Sequence, residues 1–251
     1  MAPFWKLADA VAGFPPMERI VIAERLDHLP PANPEARRSR RDLQLINRLM
    51  GNSRLLRYAV TRVLPETRGR AWRVLEAGAG DGTLAAGLWS RLPSPPAGSR
   101  LELLDRLPVV EEGSRHVLAA QGWLPEVLLM DVLDWIDQPE PVRLDLVYAN
   151  LFLHHFEGIH LTSLLSALAQ RAQAVVLLEP RRSVLARMGA RLLGGIGCNE
   201  VTRHDAVRSV AAGFLGTEIT RLWPDPGAWV LTESRAGLFG HCFSAHRRSN
   251  A

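Results

Sequence analysis

Three histidines in this chain of 251 residues stand where they could accept a proton from a bound molecule. His154 and His155 lie in the segment Asn-Leu-Phe-Leu-His-His-Phe over residues 150–156, directly after a predicted strand. His204 stands beside Asp205, ahead of the last predicted strands. An imidazole with an ordinary pKa of about 6.5 suits general-base chemistry at neutral pH. We expect at most one of His154 and His155 to act as a base, since such a segment can also use its histidines to fix the corner between strand and helix.

A glycine-rich turn follows the short apolar run that ends at Leu75. Residues 76–82 read Glu-Ala-Gly-Ala-Gly-Asp-Gly. Glycines permit a sharp turn and leave no side chain between the backbone and a ligand. A dinucleotide fingerprint would need a further glycine at Thr83, and Glu76 would repel a pyrophosphate. The turn therefore favours a ligand with positive charge, such as a methionine-type ammonium beside a sulfonium. The predicted contacts are Glu76, Ala77, Gly78, Gly80 and Gly82.

Acidic side chains end the next two predicted strands. Asp105 ends the second strand, where a carboxylate can accept hydrogen bonds from both hydroxyls of a ribose. Asp131 ends the third strand and can accept from an adenine amino group, while the Val132 N–H serves the ring and Leu133 packs on the base. An isolated aspartate in such a position is usually a helix cap, but two at successive strand ends favour a nucleoside site. Further predicted contacts are Arg106, Asn150 and Leu151.

Four segments, VLEAGAGDG, LELLD, LLMDVLDW and DLVYANLFLHHF, resemble class I S-adenosylmethionine-dependent methyltransferases of the small-molecule type over residues 70–180. The resemblance implies that the glycine turn cradles the methionine part of the cofactor S-adenosyl-L-methionine. It also implies that Asp105 holds the ribose and that Asp131 and Val132 bind adenine. For the fold, it implies a seven-stranded sheet with one antiparallel strand near its end, and N-terminal helices that act as a lid and as part of the substrate pocket.

Methyl transfer requires the nucleophile, the methyl group and the sulfur to be collinear, and a neutral acceptor must also lose a proton. We expect transfer to an O or C atom of a small, largely apolar acceptor, such as a phenolic, polyketide or lipid-like metabolite. One alternative is an RNA methyltransferase, although residues 145–152 lack the Asn/Asp-Pro-Pro-aromatic signature of enzymes that modify base amino groups. A second alternative is a non-catalytic protein that binds the same cofactor.

The composition, 47% hydrophobic and 22% charged, is that of an ordinary globular protein. The formal charge is +4, but Lys6 is the only lysine, so arginine dominates the basic positions throughout. The basic cluster at residues 37–41 is interpreted as a solvated helix face, and a nucleic-acid partner is not expected. Two cysteines, Cys198 and Cys242, cannot build a disulfide framework or a zinc site. We expect no metal, no transmembrane segment and a cytoplasmic location, and the sequence leaves the oligomeric state open.

The elements that must position these residues divide the chain near Arg70. Residues 1–69 are predicted to form a helical lid, with a helical pattern over 10–63, and residues 70–251 to form a Rossmann-like methyltransferase core. The predicted fold class is α/β, a doubly wound, mostly parallel seven-stranded sheet with helices on both faces. The predicted strands span residues 73–77, 101–104, 127–130, 144–149, 174–178, 218–223 and 238–245, the last two as a hairpin-like pair.

Overall fold

A computed structural model of the chain describes residues 17–65, 69–139 and 143–248. The part of the predicted N-terminal helical pattern that falls on residues 10–16 lies outside these residues. Among the described residues, no helix is both long and apolar enough to cross a lipid bilayer.

Seven strands form one sheet. In chain order they are β1 (Arg73–Ala77), β2 (Arg100–Asp105), β3 (Leu124–Leu129), β4 (Leu144–Asn150), β5 (Ala172–Pro180), β6 (Trp229–Ala236) and β7 (Gly240–Arg247). Their spatial order is β3-β2-β1-β4-β5-β7-β6. Strand β7 runs antiparallel to both of its neighbours, and β1 to β5 pair in parallel. The prediction of a mostly parallel seven-stranded sheet with one antiparallel strand near its end is confirmed.

The helices alternate with the strands. They are α1 (Pro34–Met50), α2 (Asn52–Val63), α3 (Thr83–Trp89), α4 (Glu112–Ala120), α5 (Val132–Ile136), α6 (Gly158–Arg171), α7 (Val184–Leu192), α8 (Glu200–Ala212) and α9 (Glu218–Leu222). Helix α1 begins after the N-cap residue Asn33, whose side chain accepts hydrogen bonds from two N–H groups of the first turn. It ends at Gly51, whose φ of 69° suits a glycine cap.

The central strands of the sheet are buried on both faces, whereas the edge strand β3 is largely exposed. Neighbouring residues of the central strands belong to different buried clusters: Leu75 and Val147 to one, Val74 and Leu146 to the other. This alternation follows from the two-residue period of a strand, and burial on both faces explains why the strands are continuous apolar runs. Helices α5, α6 and α9 complete the first cluster, and α2, α3 and α4 complete the second. The predicted helices on both faces are therefore confirmed.

The predicted strand at residues 218–223 is wrong, because Glu218–Leu222 is helix α9. Its apolar residues Ile219, Leu222 and Trp223 follow the spacing of a helix, which the short run concealed. The Glu233 carboxylate accepts hydrogen bonds from the N–H groups of Ile219 and Thr220, at 3.1 and 2.7 Å, and so stabilises the first turn. The missing strand is β6, which lies later in the chain.

The helical pattern predicted over residues 10–63 is also wrong for residues 17–33, where only a 3₁₀ turn at Leu26–His28 is regular. Pro30, Pro31 and Pro34 account for the interruption at residues 29–33, since a proline disfavours the helical conformation of the residue before it. Helix α2 packs on the sheet through Leu56 and Val60, which belong to the second buried cluster. The division of the chain at residue 70 stays a prediction.

Candidate active site

A cavity of about 600 Å³ opens at the carboxyl ends of β1, β2 and β4. Strand β1 is paired with β2 on one side and β4 on the other, so the chain reverses its direction of winding at this point, where open α/β sheets bind ligands. Nine of the predicted cofactor residues line the cavity: Glu76, Gly78, Gly80, Asp105, Arg106, Asp131, Val132, Asn150 and Leu151. Three do not belong to its described wall. Ala77 and Leu133 face the first buried cluster, and Gly82 precedes α3.

The glycine turn is held against the end of β2. The N–H groups of Gly78 and Ala79 donate to the Leu104 carbonyl at 2.9 and 3.0 Å. Gly78 has a φ of 71°, and a Cβ placed there would lie 2.4 Å from Cδ2 of Phe152. Both the backbone conformation and the close approach of this ring therefore require glycine at position 78.

The Asp105 carboxylate fixes the same turn from below. Its Oδ2 accepts a hydrogen bond from the Gly80 N–H at 2.8 Å, and its Oδ1 accepts from the Leu107 N–H at 2.9 Å. Burial raises the pKa of Asp105 above its ordinary value, although these two N–H groups act in the opposite direction. Because a carboxylate can accept about four hydrogen bonds, Asp105 can still receive the hydroxyls of a ribose.

Glu76 lies fully buried at the end of β1. Its Oε2 accepts a hydrogen bond from the Tyr148 hydroxyl at 3.3 Å. Burial raises the pKa of Glu76 well above its ordinary value, and the negative charges of Asp81 and Asp105 raise it further. Among the described residues, seven carboxylates and three guanidinium groups line the cavity, so a cationic ligand is favoured over a polyphosphate.

Helix α1 forms the opposite wall. Arg40, Leu43, Gln44 and Asn47, at helical spacing, all line the cavity. Gln44 Nε2 donates to Asp81 Oδ2 at 2.6 Å, which ties the helix to the glycine turn.

Arg40 lines this cavity and carries one unsatisfied donor. Its Nη1 donates to the Pro31 carbonyl at 3.1 Å, whereas its Nη2 is buried and has no hydrogen-bond partner among the described residues. A buried donor without a partner is costly, so a bound anionic group would stabilise this arrangement. The interpretation of residues 37–41 as a solvated face overlooked Arg40, which the helical period shared with Leu43 and Asn47 could have identified.

Three asparagines connect the helices to the end of β4. Asn52 Nδ2 donates to Asn47 Oδ1 and to Asn150 Oδ1, at 2.8 and 3.0 Å. Asn150 Nδ2 in turn donates to Asn47 Oδ1 at 3.1 Å. These contacts fix the position of α1 relative to the sheet, and with it the width of the cavity.

His154 is buried between two carboxylates. Its Nδ1 lies 2.8 Å from Glu179 Oε2, and its Nε2 lies 3.4 Å from Glu24 Oε1. Glu179 also accepts hydrogen bonds from the N–H groups of Phe152 and Leu153, at 3.1 and 2.7 Å. Burial acts to lower the pKa of His154, but the hydrogen bonds to Glu179 and Glu24 outweigh it and raise the pKa to about 9. The imidazole is therefore a cation at neutral pH.

His155 lines the large cavity and is 26% exposed. Its Nδ1 lies 3.4 Å from Asp27 Oδ2, and Asp27 also pairs with Arg106 at 3.0 Å. His155, His154 and Glu24 each offer one ligand atom of a kind that binds transition metals, and these atoms lie within 4.8 Å of one another. The Glu24 carboxylate, the His154 cation and the His155 imidazole therefore lie next to one another in the wall of the cavity.

His204 stands apart from the other two histidines. Its Nδ1 lies 2.8 Å from Asp205 Oδ1, and its side chain belongs to the described wall of neither cavity. The structure thus brings together two of the three predicted catalytic histidines.

The N-terminal strap, residues 17–28, brings Glu24 and Asp27 into the site. The Arg19 guanidinium donates to the carbonyls of Ala212, His154 and Phe156, at 2.8, 3.3 and 2.8 Å. Sequence reasoning missed Glu24 and Asp27, because more than a hundred residues separate them from the histidines they contact. No local spacing indicates such a contact.

A second cavity, of about 220 Å³, lies beside the first. Most of its wall is apolar and comes from α1, α7 and α8, from the turn after α7 and from the turn between β6 and β7: Leu43, Ile46, Leu49, Met50, Ala186, Ala190, Leu193, Ala206, Val210 and Phe239. Residues shared by both cavities are Glu24, Leu26, Leu43, Leu151 and Ser209. Leu151 has a φ of 53°, a left-handed conformation that costs a non-glycine residue about 1–2 kcal/mol.

In sequence, no protein-family profile and no curated protein matches this chain. In structure, it is similar to the plantazolicin methyltransferase BpumL in complex with SAH, with a TM-score of 0.60 and 11% identity over 86% of this chain and 92% of that one. It is also similar to the mitomycin 7-O-methyltransferase MmcR, with a TM-score of 0.53 and 19% identity over 89% of this chain and 60% of that one. At these identities the likeness concerns the fold, which is the class I methyltransferase fold.

Proposed function

We propose that this chain is an S-adenosylmethionine-dependent methyltransferase that moves a methyl group to an O or C atom of a small, largely apolar acceptor. The observation that carries the proposal is the pair of adjoining cavities. One is acidic and lies at the strand ends, and the other is apolar and smaller, with Glu24 and Leu151 in the wall they share. A cofactor in the first would present its methyl group to an acceptor in the second.

The residues of the large cavity fit the cofactor in charge and shape. Glu76 and the glycine turn would receive its ammonium and methionine part, Asp105 its ribose, and Asp131 with Val132 its adenine. The buried, unpaired Nη2 of Arg40 would receive its carboxylate. The similar fold of BpumL is known in complex with SAH, which supports this assignment. The bound cofactor would supply an electrophilic methyl group.

We assign proton removal to His155. His154 already holds a proton, because Glu179 and Glu24 raise its pKa to about 9, so it cannot serve as a base at neutral pH. His154 instead stabilises the corner after β4 through its contact with Glu179, and it places a positive charge beside the Glu24 carboxylate. His155 lies next to it, with ring centroids 4.3 Å apart, and Asp27 orients its Nδ1. A catalytic role for His204 has no support from its position. We propose that Glu24 and the two histidines act without a metal.

The acidic lining also separates this proposal from its alternatives. The wall of the large cavity holds seven acidic side chains against three guanidinium groups and the His154 cation, so we expect it to repel nucleic-acid phosphates, which disfavours an RNA acceptor. A non-catalytic cofactor-binding protein would need no second cavity against the first. Salt-sensitive binding to tRNA would favour the RNA methyltransferase. Cofactor binding without transfer to any acceptor would favour the non-catalytic protein.

Calorimetry with S-adenosylmethionine and S-adenosylhomocysteine tests the cofactor site. We expect both to bind, and we expect Arg40→Met to weaken binding about 10- to 100-fold, as loss of a hydrogen bond to a charged group does. Arg37→Met is the matched control, since Arg37 lies on the same helix, is exposed and donates to the Ala32 carbonyl. Absence of binding of both compounds to the unmodified protein would refute the proposed function.

Labelled cofactor, incubated with cell extract fractionated into nucleic-acid, lipid and small aromatic pools, identifies the acceptor pool. Separate His154→Gln and His155→Gln variants then test the base. We expect His155→Gln to lower turnover about 10²- to 10⁴-fold, the usual contribution of general-base catalysis, and to leave cofactor binding intact. Full turnover in the His155 variant would remove it as the base.

A further inference from the structure

Glu24 lies at the boundary between the two cavities, and one of its two carboxylate oxygens accepts no hydrogen bond from the described residues. Its Oε1 accepts a hydrogen bond from Ser209 Oγ and faces His154 Nε2 at 3.4 Å. Within the described ranges, no hydrogen bond reaches its Oε2. The carboxylate is 13% exposed and lines both cavities. Because the side chain lines both cavities, a ligand bound there can donate a hydrogen bond to Oε2 in place of solvent.

The other polar side chains of the small cavity are already engaged. Ser39 Oγ donates to Asn199 Oδ1 at 3.0 Å, and Thr202 Oγ1 donates to Asp42 Oδ2 at 3.1 Å. The two oxygens of Asp205 accept from the N–H groups of Arg25 and Leu26, each at 2.9 Å. Recognition of a polar group on the acceptor therefore falls to Glu24.

The separation between Glu24 and His155 fits one atom. Each side chain offers one ligand atom within 4.8 Å of the other, so two hydrogen bonds of about 2.8 Å can meet at a hydroxyl oxygen placed between them. The proton on that atom can point to either group. Recognition by Glu24 and proton removal by His155 can thus act on the same atom of the acceptor.

We infer that Glu24 selects acceptors that carry a hydroxyl group at the methylated end of a small neutral apolar body, and that it rejects carboxylate acceptors. This inference rests on the proposed function, because it names the substrate class of the same site. A negative carboxylate beside the entering group repels a second carboxylate, and an ether in the same place leaves Oε2 without a donor. The volume of about 220 Å³ restricts the apolar body to one or two rings.

Three bicyclic probes of the same skeleton test this class: 2-naphthol, 2-methoxynaphthalene and 2-naphthoate. Their binding to the protein saturated with S-adenosylhomocysteine is measured by calorimetry at pH 7. We expect 2-naphthol to bind about 10- to 100-fold more tightly than 2-methoxynaphthalene, and 2-naphthoate to bind most weakly. Ala190→Phe, which fills the small cavity, is expected to abolish binding of all three.

The Glu24→Gln variant keeps the shape of the side chain and removes its charge. We expect it to lose most of the preference for 2-naphthol and to bind 2-naphthoate more tightly. Glu18→Gln is the matched control, because Glu18 lies on the same strap, is exposed and belongs to the described wall of neither cavity. Equal binding of the three probes, no binding of any, or the same preference in Glu24→Gln would overturn the inference. Binding of S-adenosylhomocysteine is measured first. Its absence would refute the proposed function, whereas its presence without the expected probe preference would refute only this inference.

Discussion

At the scale of single residues, the chemistry of the site depends on which groups hold protons. His154 is 3% exposed, and burial alone would keep it neutral. Two carboxylates reverse this effect, so one of the two histidines predicted as candidate bases is a cation. The sequence could identify the histidine pair but could not separate the two roles, because Glu24 and Glu179 come from distant parts of the chain.

The pH dependence of stability should reveal this cation. The pKa of His154 is raised from 6.5 to about 9 in the folded protein, which corresponds to about 3 kcal/mol of stabilisation. This contribution is fully present below pH 6.5 and disappears as the pH rises through about 9. We therefore expect the difference in unfolding free energy between the unmodified protein and His154→Gln to shrink between these pH values. Urea titrations at several pH values measure it, and a constant difference would contradict the assignment.

At the scale of elements, apolar runs and the polar residues that end them predicted β1 to β5 and the edge of the sheet at which the large cavity opens. That success has a simple cause, because strands buried on both faces must be apolar and their carboxyl ends must share one edge. The short run at residues 218–223 failed, since six residues cannot distinguish a strand from one helical turn and a half. Arg40 was missed because it belongs to a run of basic residues that was interpreted as a single solvated face of helix α1.

The glycine turn gives a prediction at this scale. Gly78 and Gly80 have φ values of 71° and 55°, so alanine strains the backbone at either position by about 1–2 kcal/mol. At Gly78 the added Cβ would also meet the ring of Phe152 at 2.4 Å, whereas at Gly80 no heavy atom lies within 4 Å. We expect Gly78→Ala to be less stable than Gly80→Ala by about 1–3 kcal/mol, the usual cost of overpacking. Urea unfolding without ligand compares them, and equal stabilities would show that Phe152 moves aside freely.

At the scale of the whole molecule, the strap joins parts of the fold that the sheet leaves apart. It connects the end of α8 with the corner after β4, and it supplies wall to both cavities. Its course was not predicted, because residues 17–28 were included in the helical pattern of residues 10–63 and the contacts that hold the strap come from distant parts of the chain. Since the strap lines both cavities, we expect its motion to accompany exchange of the proposed cofactor.

Arg19→Met tests that coupling. The substitution removes the hydrogen bonds to the carbonyls of Ala212, His154 and Phe156, which hold the strap down. We expect faster amide hydrogen exchange over residues 17–28 and release of S-adenosylhomocysteine about tenfold faster. Arg54→Met, an exposed arginine of α2, is the control. If the release rate stays unchanged while exchange accelerates, strap opening does not limit product release.

The small cavity can be altered without touching the large one. Ala186, Ala190 and Val210 line only the former, although α8 also contributes Arg208, Ser209 and Ala212 to the large cavity. We therefore expect side-chain volume at these three positions to determine which acceptors fit, while the proposed cofactor contacts of the large cavity keep their places. Such a separation lets acceptor range diverge between relatives that share one donor, and it marks α7 and α8 as the helices to vary when engineering the chain toward larger or smaller acceptors.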